Sequence, residues 1–201
     1  MVEVHQKFRL IPETLHLGVN ILDRYLERVN VERTKLQLVG VTALLIACKY
    51  EEIYPPEVQD CVYICDKAYT RQMVLDMEAE ILFILEYRMS VPTGFPFLNR
   101  FLDITKATTL QKHAAHYYNE RMLQEYMYLK HRPSLIAASC VSLALNNPSI
   151  RHHAGLTGPL PGVVSFCHAF PTVCAHFTSP SCLTHSYFVS TAYCIARIHR
   201  L

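Results

Sequence analysis

The chain has 201 residues, 51% of them hydrophobic, and 19 lysines and arginines against 17 acidic residues leave a formal net charge of +2. The length fits one domain or two small ones, and the apolar fraction excludes a disordered chain. The small net charge excludes a polyelectrolyte that binds nucleic acid through bulk charge. All 17 acidic residues lie between Glu3 and Glu125, and the last 55 residues carry only three arginines as charged side chains. The composition therefore changes near residue 147.

The first residues mix charged and apolar side chains and lack the apolar stretch of a secretory signal. The longest apolar stretch, residues 38–48, has eleven residues, whereas a bilayer span needs about 20. We therefore expect no membrane segment. Without a secretory signal, and with no CxxC pair among them, four cysteines are expected to be reduced thiols in the core. These are Cys48, Cys61, Cys65 and Cys140.

Helices are predicted one after another over the first 146 residues. Pro12 suits the first turn of a helix that ends at Asn30. Its predicted apolar stripe is Leu15, Val19, Leu22 and Leu26. Residues 31–53 form the next helix, which is apolar all round in its middle and is therefore expected to be central. Gly40 inside it predicts the close approach of a neighbouring helix.

Pro55 and Pro56 end the central helix because neither can donate a backbone N–H. A short helix over residues 57–65 follows. Thr70 can cap another helix, whose apolar residues recur every four positions. They are Met73, Met77, Ile81 and Leu85.

A second helical group follows the linker at residues 91–93. Thr93 can cap a helix through Phe97, Phe101 and Leu102. A longer helix is predicted over residues 109–130 and a buried apolar one over residues 135–145. The sequence Asn-Asn-Pro at residues 146–148 ends the regular pattern.

Several motifs in this helical region occur in a familiar order. The sequence KYEEIYPPE stands at residues 49–57, preceded by ETLHL at 13–17, DRYL at 23–26 and KLQLVG at 35–40. Met77-Glu78 and Ile81-Leu82 follow, and then MSVPT at 89–93 and RPSLIAA at 132–138. With these motifs residues 2–146 resemble the cyclins, and they are most similar to the mitotic A/B-type group.

The resemblance implies an all-α cyclin fold of two successive five-helix boxes. Residues 1–90 would form the N-terminal cyclin box, with its first helix truncated, and residues 91–147 part of the C-terminal box. Residues 148–201 are expected to be a non-cyclin tail, disordered or irregular. The abrupt loss of carboxylates and lysines there is also typical of sequence from out of frame or from an intron.

The resemblance also implies a function. The chain would be a regulatory subunit that binds and activates a cyclin-dependent protein kinase to control mitotic progression, in the nucleus and cytoplasm. Lys49 and Glu78 match the conserved pair that anchors the kinase's mobile C-helix region. Apolar positions around that contact are matched by Tyr50, Leu82, Tyr87 and Met89. The cyclin would supply no catalytic group and no cofactor, and would stabilise the active arrangement of the kinase.

A second surface implied by the resemblance is a docking groove for short Arg-x-Leu motifs in substrates or inhibitors. Glu3, Leu36 and Gln37 match three of its positions, and a carboxylate beside an apolar slot suits such a ligand. The groove's Trp has no counterpart, because the chain contains no Trp. This puts substrate docking in question.

Other classes of function remain as alternatives. The same residues could make a truncated decoy that binds the kinase without activating it, or a non-functional fragment. A transcription-initiation factor that uses the same box fold would need a basic face for DNA, which the net charge of −1 over the first 146 residues disfavours. No nucleic-acid or membrane partner is therefore expected. An enzyme is not supported, because no histidine has a nucleophile and carboxylate at catalytic spacing.

The tail holds residue types that can bind a metal ion. It contains Cys167, Cys174, Cys182 and Cys194 together with several histidines, which are soft ligands. The cysteines form no CxxC pair, and the tail offers no carboxylate to orient a histidine ligand. We therefore predict no metal site.

Overall fold

The structure is a computed structural model, and it describes residues 1–147. The predictions for the tail, including its disorder and its metal ligands, lie outside the described residues. Within the described part every regular element is helical, which confirms the all-α prediction. The helices are α1 (Val2–Phe8), α2 (Pro12–Arg28), α3 (Leu36–Glu51), α4 (Val58–Ile64), α5 (Arg71–Ile84), α6 (Gly94–Ile104), α7 (Thr109–Met122) and α8 (Pro133–Asn146). Short 3-10 turns stand at Arg33–Lys35 and Tyr126–Tyr128.

The chain divides into two compact units, Met1–Pro96 and a second that begins at Phe97. In the first unit α3 is the central helix, as the sequence predicts, because every residue from Leu38 to Cys48 is buried. A helix that is apolar on all sides must be enclosed by others, and here α2, α4 and α5 pack around it. The second unit has its own core, in which α7 packs on α8.

The face of α2 that meets the core differs from the predicted stripe. Leu17, Ile21 and Tyr25 are almost completely buried, whereas Leu26 is exposed and Val19 and Leu22 are only partly buried. Leu15 is buried as predicted, but the rest of the stripe assigned from aliphatic residues alone was rotated away from the core. Tyr25 is a core residue that sequence reasoning left out, and its hydroxyl donates to Glu80 Oε1 at 2.7 Å. A buried tyrosine usually needs such a partner.

The close approach expected at Gly40 occurs at Gly18 instead. A Cβ on Gly18 would lie 3.5 Å from Leu44 Cα and 3.2 Å from Leu44 Cδ1, so α2 and α3 touch there. At Gly40 the nearest atom to such a Cβ is Met1 Cγ, at 3.9 Å, which is an ordinary contact. The prediction for Gly40 was wrong because the glycine that permits close packing lies on the partner helix.

Side chains satisfy the helix ends where the sequence offered cap residues. Thr70 accepts a hydrogen bond from Met73 N, which confirms it as the cap of α5. The start of α2 has no cap of its own, and Glu52 at the end of α3 replaces it. Glu52 Oε1 accepts from Ile11 N at 2.8 Å and from the Thr14 hydroxyl at 2.6 Å. This contact joins the start of α2 to the end of the central helix.

Two helix boundaries differ from the sequence prediction by several residues. Residues 31–53 do not form one helix, because a 3-10 turn precedes α3. The helix predicted to end at residue 130 ends at Met122. The following 3-10 turn buries Tyr128 in the core of the second unit and leaves Tyr126 and Leu129 exposed. Because the helix ends early, Tyr128 faces the core in place of Tyr126 and Leu129.

The four cysteines of the described residues are free and buried, as predicted for core thiols. Burial is the main cause that raises the pKa of Cys48 and Cys140 to about 12, so both are protonated at neutral pH. In residues 1–147 no helix has the length and apolar content to cross a bilayer.

Candidate functional site

The first unit carries an ion pair between two of its core helices. Lys49 is in the last turn of α3 and Glu78 is in the middle of α5. Lys49 Nζ lies 2.5 Å and 2.7 Å from the two carboxylate oxygens of Glu78. The side chain of Glu78 is 12% exposed and that of Lys49 is 43% exposed. The glutamate is therefore held in place, and the ammonium group is open to a partner.

The packing of α3 on α5 explains why these two charges meet. Each follows a core residue in the chain, Cys48 before Lys49 and Met77 before Glu78. The packing of the two helices thus brings together two residues that are 29 positions apart in the sequence. Cys61 of α4 lies close enough for the pair to influence it. Its pKa is raised to about 11, mainly by burial, while Lys49 lowers that pKa and Glu78 raises it.

Aromatic and aliphatic side chains are exposed around the end of α3. Tyr50 is 50% exposed, and its hydroxyl forms a short hydrogen bond with the Ser90 hydroxyl. Ile53 and Tyr54, in the following loop, are 87% and 91% exposed. Sequence reasoning did not name these two as site residues. The sequence did contain a signal for their exposure, because Pro55 and Pro56 prevent α3 from continuing past these residues.

The other predicted kinase contacts lie at the end of α5. Leu82 is one turn beyond Glu78 and partly buried against the core. Tyr87 is 69% exposed, whereas Met89 is 7% exposed and belongs to the core of the first unit. Leu82 and Tyr87 therefore follow Glu78 at the accessible end of α5, whereas Met89 is buried in the core of the first unit.

Phe83 is a further exposed side chain that sequence reasoning missed. It stands in the last turn of α5 and is 76% exposed. It falls outside the stripe that recurs every four residues to Leu85, so the periodicity alone could have marked it as an outward aromatic.

The three predicted docking-groove residues lie on α1 and at the start of α3. Glu3, Leu36 and Gln37 are all exposed. The side chain of Met1 reaches Gly18 and Gly40, which brings the start of α1 against α2 and α3. Gly40 follows Leu36 and Gln37 by four and three residues, so the three share one face of α3. The carboxylate and the apolar side chain are thus on elements that meet.

No group of three or more metal-ligating side chains that could hold an ion is formed within residues 1–147. The surface is instead one ion pair bordered by exposed aromatic side chains. Such an arrangement suits recognition of another protein, because aromatic residues and a fixed charge are typical anchors of interfaces.

Comparison with known proteins identifies the family. The family described as "Cyclin, N-terminal domain" matches residues 1–90, and "Cyclin, C-terminal domain" matches residues 92–157. The chain belongs to the cyclin family. This confirms the resemblance drawn from the motifs. The second match ends at residue 157 and so includes the first ten residues of the predicted tail.

B-type cyclins of plants are among the relatives that the chain matches. Cyclin-B2-1 of Oryza sativa subsp. japonica is 51% identical over 144 residues, which are 72% of this chain and 34% of that protein. G2/mitotic-specific cyclin-2 of Medicago sativa is 48% identical over 144 residues, 72% of this chain and 44% of the relative. The chain therefore spans about a third to under a half of the length of these relatives. Cyclins are regulatory subunits and not enzymes.

Among solved structures, a viral cyclin from herpesvirus saimiri has a similar fold. The TM-score is 0.67 at 20% sequence identity, with 85% of this chain and 79% of the viral chain covered. At that identity the likeness supports the cyclin fold alone.

Proposed function

We propose that this cyclin is a regulatory subunit that binds a cyclin-dependent protein kinase and activates it in mitosis. The observation that carries the proposal is the exposed Lys49 ammonium, which Glu78 fixes on the N-terminal cyclin domain. Tyr50 follows Lys49 in the chain, and Leu82 and Tyr87 follow Glu78 at the end of α5. The names of the relatives, which are mitotic cyclins, support the cell-cycle role. A location in the nucleus and cytoplasm stays a prediction from the resemblance.

The physical basis of activation is a shift between two kinase conformations. A protein kinase is active only when the lysine–glutamate pair that involves its C-helix is formed. A partner that binds the inward position of that helix more tightly than the outward one shifts the population toward the active form. The Lys49 ammonium can donate to backbone carbonyls at the kinase helix, because its three N–H donors exceed what the Glu78 carboxylate needs. The exposed aromatics supply apolar area to bury.

Docking of Arg-x-Leu motifs on Glu3, Leu36 and Gln37 is a secondary part of the proposal. The exposed carboxylate suits the arginine, and the exposed Leu36 suits the leucine of such a motif. The kinase surface and this groove are formed by different ends of α3.

The binding experiment compares the full chain with two single variants. Lys49→Ala and Glu78→Ala should each weaken binding of a cyclin-dependent kinase by at least about 30-fold, since the kinase would cover the pair and truncating one partner of a charge pair that is buried in a complex costs about 2–5 kcal/mol. Isothermal titration measures the affinity. The matched control is Lys112→Ala, which removes a more open ion pair with Asp103 at 3.4 Å in the second unit. Equal affinity in all four proteins contradicts the proposed surface.

A phosphorylation assay separates an activating cyclin from a decoy. The full chain is added to the kinase, and phosphate transfer to a histone substrate is followed. An activator raises the rate in proportion to the bound kinase. A chain that binds the kinase while the rate stays at its basal level is a decoy, which contradicts the activating part of the proposal.

A further inference from the structure

The end of α5, like the end of α4, has left-handed backbone at residues other than glycine. Tyr87 N donates to the Leu82 carbonyl at 2.9 Å and Glu86 N donates to the Phe83 carbonyl at 3.0 Å, which is a Schellman motif. The residue that reverses the chain in this motif is usually glycine. Here Glu86 and Tyr87 both have positive φ, 53° and 56°. Two successive left-handed residues with side chains are unfavourable unless their surroundings hold them.

Two arginines of α2 provide such a hold. The Schellman motif uses the carbonyls of Leu82 and Phe83, and the Ile84 carbonyl accepts a short hydrogen bond from the Arg28 guanidinium. Arg24 Nη1 donates to the Arg88 carbonyl at 2.9 Å. Carbonyls at a helix C-terminus carry partial negative charge, so guanidinium groups are favourable there. The two arginines therefore bind the chain two residues before the strained pair and immediately after it.

A third contact from the same helix joins α2 to α5. The Tyr25 hydroxyl donates to Glu80. Arg24, Tyr25 and Arg28 thus contact α5 and its C-terminal turn at three points along a single stretch of α2. We call Arg24 and Arg28 the arginine clamp. The segment that it holds exposes Phe83 and Tyr87, and Tyr87 is one of the residues assigned to the kinase surface.

We propose that the arginine clamp positions Tyr87 for the kinase, so that Arg24 and Arg28 contribute to kinase affinity without touching the kinase. This inference rests on the proposed function. The clamp keeps the turn at residues 86–87 in the one conformation in which Tyr87 projects from the surface beside Leu82. Without the clamp the strained turn relaxes, and the kinase must reorder it on binding. That ordering lowers the affinity.

The test is a double-mutant cycle in the full chain. Arg24→Ala should weaken kinase binding about fivefold or more, the usual scale of coupling between positions. In the Tyr87→Ala background the same change should have little effect, because the residue it positions is gone. Arg71→Ala is the charge-matched control at the other end of α5 and should leave the affinity unchanged. Equal losses in both backgrounds overturn the proposal.

Hydrogen exchange separates positioning from general destabilisation. In Arg24→Ala the amides of residues 86–89 should exchange faster, while those of buried α3 keep their protection. Arg24→Lys retains the charge and one donor and should recover part of the affinity. Faster exchange throughout the first unit, with no recovery in Arg24→Lys, assigns the arginine a merely structural role and contradicts the proposal. If the wild-type chain binds no kinase, the proposed function fails instead, which the titration of wild type alone reveals.

Discussion

Asp23 is a carboxylate that the fold partly removes from water. It lies partly buried on α2, and burial raises its pKa to about 6. The unfolded chain has an ordinary aspartate pKa of about 3.9. Burying the charged form is therefore unfavourable above pH 6. Below the unfolded pKa both states are protonated and the cost disappears.

The variant Asp23→Asn tests this. At pH 8 it should raise the free energy of unfolding by about 1 kcal/mol, after allowance for partial solvent screening. The gain should fall as the pH drops through 6 and vanish near pH 4. Urea unfolding at several pH values measures it. Glu27→Gln, an exposed carboxylate on the same helix, should change stability by less than about 0.5 kcal/mol. A gain that does not depend on pH contradicts the account.

For single residues, the sequence predicted which side chains matter better than it predicted the partners that they contact. Lys49 and Glu78 were assigned through the family resemblance, since nothing in local spacing joins residues on different helices. Their contact depends on how α3 packs on α5. Tyr25, Phe83 and Glu52 were missed because each acts through a partner far along the chain, or through exposure that a pattern of buried residues does not describe.

Helices were predicted well where their signals are local. Thr70 and Pro12 mark real helix starts, and the apolar middle of α3 marks a central helix. Local signals failed at tertiary contacts. The end of α7 and the following 3-10 turn follow from burying Tyr128, which no helical period in the sequence encodes. The close approach of α2 and α3 depends on both helices, so one glycine alone could not reveal it.

The two glycines of the α2–α3 pair allow the packing of these helices to be tested. Gly40→Ala should raise the free energy of unfolding by about 0.5–1 kcal/mol, because alanine favours the helix and its Cβ would make only an ordinary contact, 3.9 Å from Met1 Cγ. Gly18→Ala gains the same propensity but places Cβ 3.2 Å from Leu44 Cδ1 and Met1 Cε. We expect its net gain to be smaller or absent. Urea unfolding of both variants is the measurement, and equal gains contradict the packing described for α2 and α3.

The whole chain joins two cyclin domains to a tail of different composition. The sequence predicted the start of the tail near residue 147 from its charge. It predicted the boundary between the two domains from a linker at residues 91–93. The structure divides its compact units at Pro96, and the two family matches meet between residues 90 and 92. Because α6 begins at Gly94 and continues across the unit boundary, the linker and the boundary of the units do not coincide.

In the proposed function the Lys49–Glu78 pair is a kinase-binding element and not only a bond between α3 and α5. Exchanging the two charges, in Lys49→Glu with Glu78→Lys, separates these roles. The exchanged chain can still form the ion pair, so its thermal stability should approach that of wild type, above either single charge reversal.

Titration of a cyclin-dependent kinase with the exchanged chain is then the deciding measurement. Affinity should stay at least about 30-fold below that of wild type, because a carboxylate now stands where the kinase meets an ammonium group. Recovery of both wild-type affinity and wild-type stability would show that the pair only joins α3 to α5.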